Sequence, residues 1–373
     1  MDSADIARSL IDSAGGDAER VRETIERIGA EEAAAFLVAE LTGRVETGTL
    51  PEDVTEVQLV LDGARPLPYV LSVGRRGAGA RPGELADPEV VLSQDVTEVA
   101  RSLFGPPGCQ DSATRRVRWR DHDDPKVYFA PPPAFPVVER LLAALDGRGA
   151  PGLAELALRH GSDKWGIHEY TPHYEHHFAR YRDRPVTVVE IGVGGYDDPE
   201  AGGGSLRMWK RYFRRGLIHG VDITDKSSHA EPRVTTSVAD QSDPASLAAL
   251  ADRIGPIDIV IDDGSHVSAH VVTAFSTLFP RLRPGGLYVV EDLQTSYWPS
   301  FSGSYAEDAD TSMGFLKRLV DGLNHAEYPA KAGRPPRPTD HEVGGLHFYH
   351  NLAFVEKRAN SGHGGISRLR EAG

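Results

Sequence analysis

Two short runs late in the chain carry carboxylates in company that chemistry can use. "VIDDGSH" (260–266) ends an apolar stretch in Asp262 and Asp263, and "GLYVVEDL" (286–293) ends another in Glu291 and Asp292. Each reads as a strand that delivers acids at its carboxyl end. Where two such strands lie side by side, ~4.8 Å apart, Asp263, Glu291 and Asp292 surround one small volume. Three carboxylates repel unless a cation sits among them. Oxygen-only ligands suit a hard divalent ion, Mg²⁺ first, with water or substrate oxygens filling the octahedron. The competing reading has one or two of these acids capping a helix near 267 or staying solvated. His266 follows Asp263 by three residues. An imidazole there can take the proton of a hydroxyl whose pKa a metal has lowered; it can also ligate the metal or cap the helix. His266 and His270 stand at a zinc-compatible spacing, but no HExxH glutamate accompanies them.

A second group precedes these. "VVEIGVGG" (188–195) ends a strand in a glycine loop, where Gly192, Gly194 and Gly195 let the backbone approach a ligand. Asp222 ends the next strand, where a carboxylate can accept both hydroxyls of an adenosine ribose. Asp240 and Gln241 end the third, where an adenine amino group would lie. A nicotinamide cofactor would use a similar turn and acid. Here the pattern is E-x-G-x-G rather than G-x-G-x-x-G, and the loop that follows holds Asp197, Asp198 and Glu200. A diphosphate would meet repulsion there, whereas a cationic sulfonium would not. Charge therefore favours S-adenosylmethionine over NAD.

The elements that must position these residues follow from pattern. From Pro185 onward, apolar runs at 186–193, 217–224, 233–241, 257–264 and 286–293 alternate with helix-like segments, the clearest at 206–215 and 267–282. Near-continuous apolar strands alternating with helices imply a parallel sheet covered on both faces. "LHFYHN" and "LAFVEKR" read as a terminal antiparallel hairpin. Upstream, residues 1 to about 45 are helical by period, broken at Gly15-Gly16, and 56–105 holds two strand-like runs and a third passing into a helix. The Pro- and Gly-rich stretch 104–136 reads as a bridge and 137–147 as a helix. Two domains are expected, an α+β auxiliary domain at 1–140 and the sheet domain at 141–373.

The chain has 373 residues and a formal net charge of -14, which argues against a nucleic-acid partner. No apolar run is long enough to span a bilayer, and "MDSADIARSL" lacks the order of a signal peptide. Cys109 is alone, so neither an intrachain disulfide nor a cysteine metal cage can form. A cytoplasmic protein fits.

The five-strand doubly wound sheet with its terminal hairpin resembles the Rossmann-like class I methyltransferases. More closely, "GSDKWGIHEYTPHYEHHF" (161–178), "VVEIGVGGYDDPEAGGGSLRMWKRYF" (188–213), "GVDITDKS", "VADQSDP", "IDDGSHVSAH" and "VVEDLQTSYW" resemble the metal-dependent sugar O-methyltransferases of macrolide and polyketide antibiotic biosynthesis. The resemblance covers about 150 to 360. It implies Asp263, Glu291 and Asp292 as magnesium ligands and His266 as the catalytic histidine. It implies Glu190, Ile191, Gly192, Val193, Gly194, Gly195, Tyr196, Ser205, Asp222, Asp240 and Gln241 as contacts to S-adenosylmethionine. The histidine-rich segment 161–178 is expected to form a lid over the cofactor, with Ser162 touching it. The loop 295–305 is expected to face the acceptor through Tyr297 and Trp298, which could equally be core aromatics. The implied reaction is methyl transfer to a deoxysugar hydroxyl on a glycosylated natural product. A non-sugar diol such as a catechol, a protein that holds S-adenosylmethionine without turnover, and a hydroxylase on a related fold are the alternatives. The segment 64–83 could be an arm to a neighbouring subunit, so a homo-oligomer, dimer or tetramer, is expected.

Overall fold

The structure is a computed structural model and describes residues 1–109, 112–121, 132–306, 309–328 and 333–361. Its first third packs helices α1 (Ser3–Ser13), α2 (Ala18–Ile28) and α3 (Ala30–Arg44) against a five-stranded sheet. The strands are β1 (Thr55–Asp62), β2 (Leu67–Gly74), β3 (Gly77–Pro82), β4 (Val90–Asp95) and β5 (Arg116–Trp119). Their order is β3-β2-β1-β4-β5. Helix α4 (Val96–Phe104) follows β4, and α5 (Phe135–Asp146) closes the unit. Asp2 and Asp17 start α1 and α2 by accepting the amides of Asp5 and Arg20.

Three expectations take definite form here. The bridge at 104–136 contains β5, which extends the sheet antiparallel to β4; its residues 110–111 and 122–131 lie outside those described. The segment 64–83, expected as an arm, is the β2–β3 hairpin; β3 pairs with β2 and forms one edge of its sheet. The boundary at 140 falls inside α5. Val137, Leu141 and Leu145 are buried in the same core as Leu10, Leu37 and Leu92, a core that Leu217 also joins, and the next core begins at Leu153.

The second unit contains α6 (Leu153–His160), α7 (Thr171–Phe178), β6 (Val186–Ile191), α8 (Gly204–Tyr212), β7 (Gly216–Asp222), β8 (Val234–Val238), α9 (Pro244–Ile254), β9 (Ile257–Asp262), α10 (Ser268–Leu278), β10 (Leu282–Val290), α11 (Ser312–Leu323), β11 (Val343–Tyr349) and β12 (Leu352–Lys357). The sheet order is β11-β12-β10-β9-β6-β7-β8. Strands β6 to β10 are parallel, and β12 and β11 close the edge antiparallel. Every residue of β6 is buried, as a strand covered on both faces requires. The chain order reverses beside β6, which pairs with both β7 and β9. A crevice forms at the carboxyl ends of such strands. No helix among the described residues is long and apolar enough to cross a membrane.

Candidate active site

A cavity of about 710 Å³ opens at that reversal point, within the range of small-ligand sites. Its floor is the turn after β6. Gly192 has φ 90°, and a Cβ there would lie 2.0 Å from the Asp263 carbonyl oxygen, so only glycine lets β6 and β9 deliver their ends this close together. Ile191 to Tyr196 line the cavity with Ser162, Ser205, Asp222, Asp240 and Gln241. The two carboxylate oxygens of Asp222 accept the amides of Val193 (2.9 Å) and Thr224 (3.0 Å), which fixes the acid at the rim. Asp240 is anchored by Ser242, whose hydroxyl and amide hold its carboxyl below the usual range.

Two expected cofactor contacts sit differently. Glu190 is fully buried and absent from the cavity wall. It accepts Trp209 Nε1 (3.0 Å) and the Ser205 hydroxyl (2.8 Å), and so braces the loop from behind. Gln241 lines the cavity, but both ends of its amide are engaged. Its nitrogen donates to Asp262 (2.6 Å) and its oxygen accepts Ser265 N (2.9 Å). Asp262 also accepts the Tyr288 hydroxyl, and burial pushes its carboxyl up to about 7. The adjacent acids therefore diverge, as alternation along a strand demands: Asp262 enters the core, while Asp263 faces the cavity.

Asp263, His266 and Asp292 each bring a ligand atom within 4.8 Å of the others, and all three line the cavity. Glu291 reaches Asp263 from behind, in a second group with Glu190. The cation among these acids is Lys164. Its ammonium donates to Asp263 Oδ2 and Glu291 Oε1, both at 2.7 Å, and lies 3.5 Å from Glu190 Oε1. Burial alone would lower its pKa, but the three acids outweigh that and hold the ammonium well above its ordinary value. Tyr174 donates to Glu291, and Tyr170 donates to Asp292 Oδ1 at 2.8 Å. Each of the three acids still keeps one oxygen, Asp263 Oδ1, Glu291 Oε2 and Asp292 Oδ2, with no hydrogen bond from a described residue. Asp263 and Asp292 with His266 form one cluster that fits a hard divalent ion, and Glu291 joins Asp263 and Glu190 in a second, more buried one, so the expected trio of acids is split between two groups.

His266 and Asp292 both adopt left-handed backbone conformations, φ 57° and 51°. Such settings persist in non-glycine residues where surrounding contacts enforce them. Here Thr295 Oγ1 donates to the His266 carbonyl (3.1 Å), and His266 Nε2 lies 3.6 Å from Asp292 Oδ2. His266 precedes α10 rather than lying on it, so it forms no helical pair with His270, which contacts Ser265.

The segment 161–178 is a wall rather than a lid. Ser162 and Asp163 reach the cavity, but Tyr170, Tyr174 and Phe178 are buried in the core. Their i, i+4 spacing could have shown this. Nothing local marks Lys164, whose partners lie 99 and 127 residues away. Tyr297 and Trp298 are 42% and 47% exposed and do not line the cavity, so they are not core aromatics. Trp298 contacts Phe301, which in turn faces the His266 ring.

This architecture matches known enzymes. A family profile described as "MycE methyltransferase N-terminal" matches residues 7–115, and one described as "Methyltransferase domain" matches 189–293. The 8-demethyl-8-alpha-L-rhamnosyl tetracenomycin-C 2'-O-methyltransferase of Streptomyces olivaceus is 71% identical over 100% of both chains. The chain belongs to the sugar O-methyltransferases of macrolide and polyketide antibiotic pathways. Another member, the mycinamicin VI 2''-O-methyltransferase of Micromonospora griseorubida, is 41% identical over 96% of this chain and 92% of its own. The MycE methyltransferase solved with Mg and SAH superposes with a TM-score of 0.88 at 40% identity, covering 97% of this chain and 94% of its own. As an O-methyltransferase of this family, the chain is an enzyme, and the reading of a protein that only holds its ligand is set aside.

Proposed function

We propose that the enzyme transfers a methyl group from S-adenosylmethionine to a hydroxyl of a deoxysugar on a glycosylated polyketide. A rhamnosyl-type sugar is the first candidate. The observation that carries this is the cluster Asp263–His266–Asp292 on the wall of the cavity framed by Gly192 to Tyr196 and Asp222. The 71% identity to a rhamnosyl 2'-O-methyltransferase over the full length supports the acceptor class.

The β6 loop and Asp222 would hold the donor, with its sulfonium toward the acids. Asp263, Glu291 and Asp292 would hold Mg²⁺, which supplies Lewis acidity to vicinal sugar oxygens when bound. Lys164 engages Asp263 Oδ2, and Lys164 and Tyr174 engage Glu291 Oε1, which would leave the second oxygen of each acid available to hold the ion. His266 takes the hydroxyl proton as the oxygen attacks the methyl carbon. The new O–C bond forms as the S–C bond breaks, and S-adenosylhomocysteine leaves. Asp292 Oδ2 lies 3.6 Å from His266 Nε2, beside the imidazole. Holding oxygen, carbon and sulfur in line supplies much of the acceleration.

The test is mass spectrometry of purified enzyme with S-adenosylmethionine, Mg²⁺ and a panel of rhamnosylated and other glycosylated polyketides, with catechols as comparison. One added methyl on a glycoside is expected, lost on EDTA treatment and restored by Mg²⁺. Methylation of catechols alone would overturn the sugar reading, and full turnover in EDTA would remove the metal. We further propose a cytoplasmic homo-oligomer in which the N-terminal unit serves assembly or covers the acceptor site. A monomeric mass in light scattering would reject the assembly.

A further inference from the structure

Away from the active site, the two units meet along a cleft of about 90 Å³ between α3, α5 and α8. Its wall carries Arg44, Arg140, Lys210, Arg211, Arg214 and Arg233; among the described residues Glu46 is the one acid lining it. In a chain of net charge -14, that concentration of cations runs against the average. Most of these cations have partners. Arg44 pairs with Glu40, Arg211 with Glu46 and Lys210 with Glu231, while Arg233 donates to Glu40 and to the Phe213, Gly216 and Lys210 carbonyls.

Arg214 does not. Its guanidinium makes no hydrogen bond or ion pair with a described residue, Asp183 acting on it only from a longer distance, and its Nη2 is buried without a partner. It packs against Gly147, where a Cβ would lie 2.1 Å from Nη2. The Nε of Arg233, a residue 2% exposed, is also buried and unpartnered. A buried donor without an acceptor is costly, and two unsatisfied guanidinium nitrogens on one small cleft leave room for a further acceptor, although Glu40 Oε2 in the same network is itself buried without a hydrogen bond. Burial first, and then the neighbouring cations, hold Arg214 and Arg44 below the ordinary arginine value against the opposing pull of Asp183 and Glu40.

We propose that this cleft is an anion site for a small tetrahedral oxyanion, phosphate or sulfate, bound at the junction of the two units with Arg214 as its principal ligand. The planar guanidinium fork suits such an ion. Bound there, the ion joins α5 to α8 and stiffens the junction.

The experiment is calorimetric titration of the intact enzyme with inorganic phosphate and with sulfate, against chloride at matched ionic strength. Thermal unfolding is followed in parallel. Saturable binding and a rise in Tm with the oxyanions but not chloride are expected. Arg214→Met keeps the packing stem and removes an unpartnered charge, so it should fold. It should weaken oxyanion binding about ten- to a hundredfold, the effect of losing one charge-assisted hydrogen bond. If Arg214→Met does not fold, Arg140→Met at the exposed rim carries the same test with a smaller loss. Equal effects of chloride, or unchanged oxyanion binding in both variants, would reduce the effect to ionic screening and overturn the proposal. S-adenosylhomocysteine binding is measured alongside, so the methyltransferase reading stands or falls separately.

Discussion

His266 is held by its neighbours in a backbone setting that few non-glycine residues adopt, with its ring beside Asp292. That investment in position makes it the group to remove first. His266→Ala should lower kcat by about 10²–10⁴-fold, the usual span for a general base, while affinity for S-adenosylhomocysteine changes little. Retained turnover would exclude it as the base. Lys164 makes a different prediction. Lys164→Met leaves Glu190, Asp263 and Glu291 buried without their cation, which costs about 3–5 kcal/mol. Added Mg²⁺ should then stabilise the variant more than it stabilises the parent. An equal rise in Tm for both would show that Lys164 does not share the role of the ion.

At the scale of elements, the site depends on how closely β6 approaches β9. Gly192→Ala would drive a Cβ into the Asp263 carbonyl. A loss of about 1–3 kcal/mol is expected from the overpacking, with donor and metal affinity falling together because both subsites share that contact. A fall in only one, by calorimetry, would separate them. On β7, His219 is 9% exposed, with Nδ1 on the Thr235 hydroxyl and Nε2 unpartnered. Burial lowers its pKa from 6.5 to about 4. The folded state thus favours the neutral ring, while the unfolded chain binds a proton more readily. Its contribution to stability is complete above pH 6.5 and is lost as pH falls toward 4, up to ~3 kcal/mol. Urea midpoints across that window should fall, and the fall should be shallower in His219→Gln; parallel slopes would remove His219 as the cause.

Across the whole molecule, the two units are joined by buried charge as well as apolar packing. Glu40 on α3 accepts Arg233 and Arg44, with Lys210 3.9 Å away. Burial would raise its pKa, but these three cations together hold it well below the usual carboxylate range. Arg44 also donates to the Arg214 carbonyl, and Arg215 donates to that of Ile11, so backbone from each unit is tied to the other. Glu40→Gln should cost about 3–5 kcal/mol by leaving buried cations uncompensated. It should also split a single unfolding transition into two as the units uncouple. One unshifted transition in calorimetry would show that the network does not join them.

The strand–helix alternation after Pro185 fixed the parallel sheet, because a strand buried on both faces must be apolar along its length. The acids at strand ends followed, since a sheet of that type presents them at one edge. That is why Asp222, Asp263 and Asp292 were legible from the chain alone. What the chain could not show was depth. Glu190 and Gln241 have the right types at the right strand ends, yet one lies behind the loop and the other is consumed by Asp262 and Ser265. Lys164 and Arg214 carry no local signal at all: what distinguishes them is whether a counter-charge, distant in sequence, arrives beside them on folding. For Lys164 three acids do so, whereas Arg214 forms no ion pair or hydrogen bond with a described residue and keeps Nη2 buried without a partner. Local pattern sets which face of an element is buried, but electrostatic pairing over a hundred residues depends on packing, and only the tertiary structure decides it.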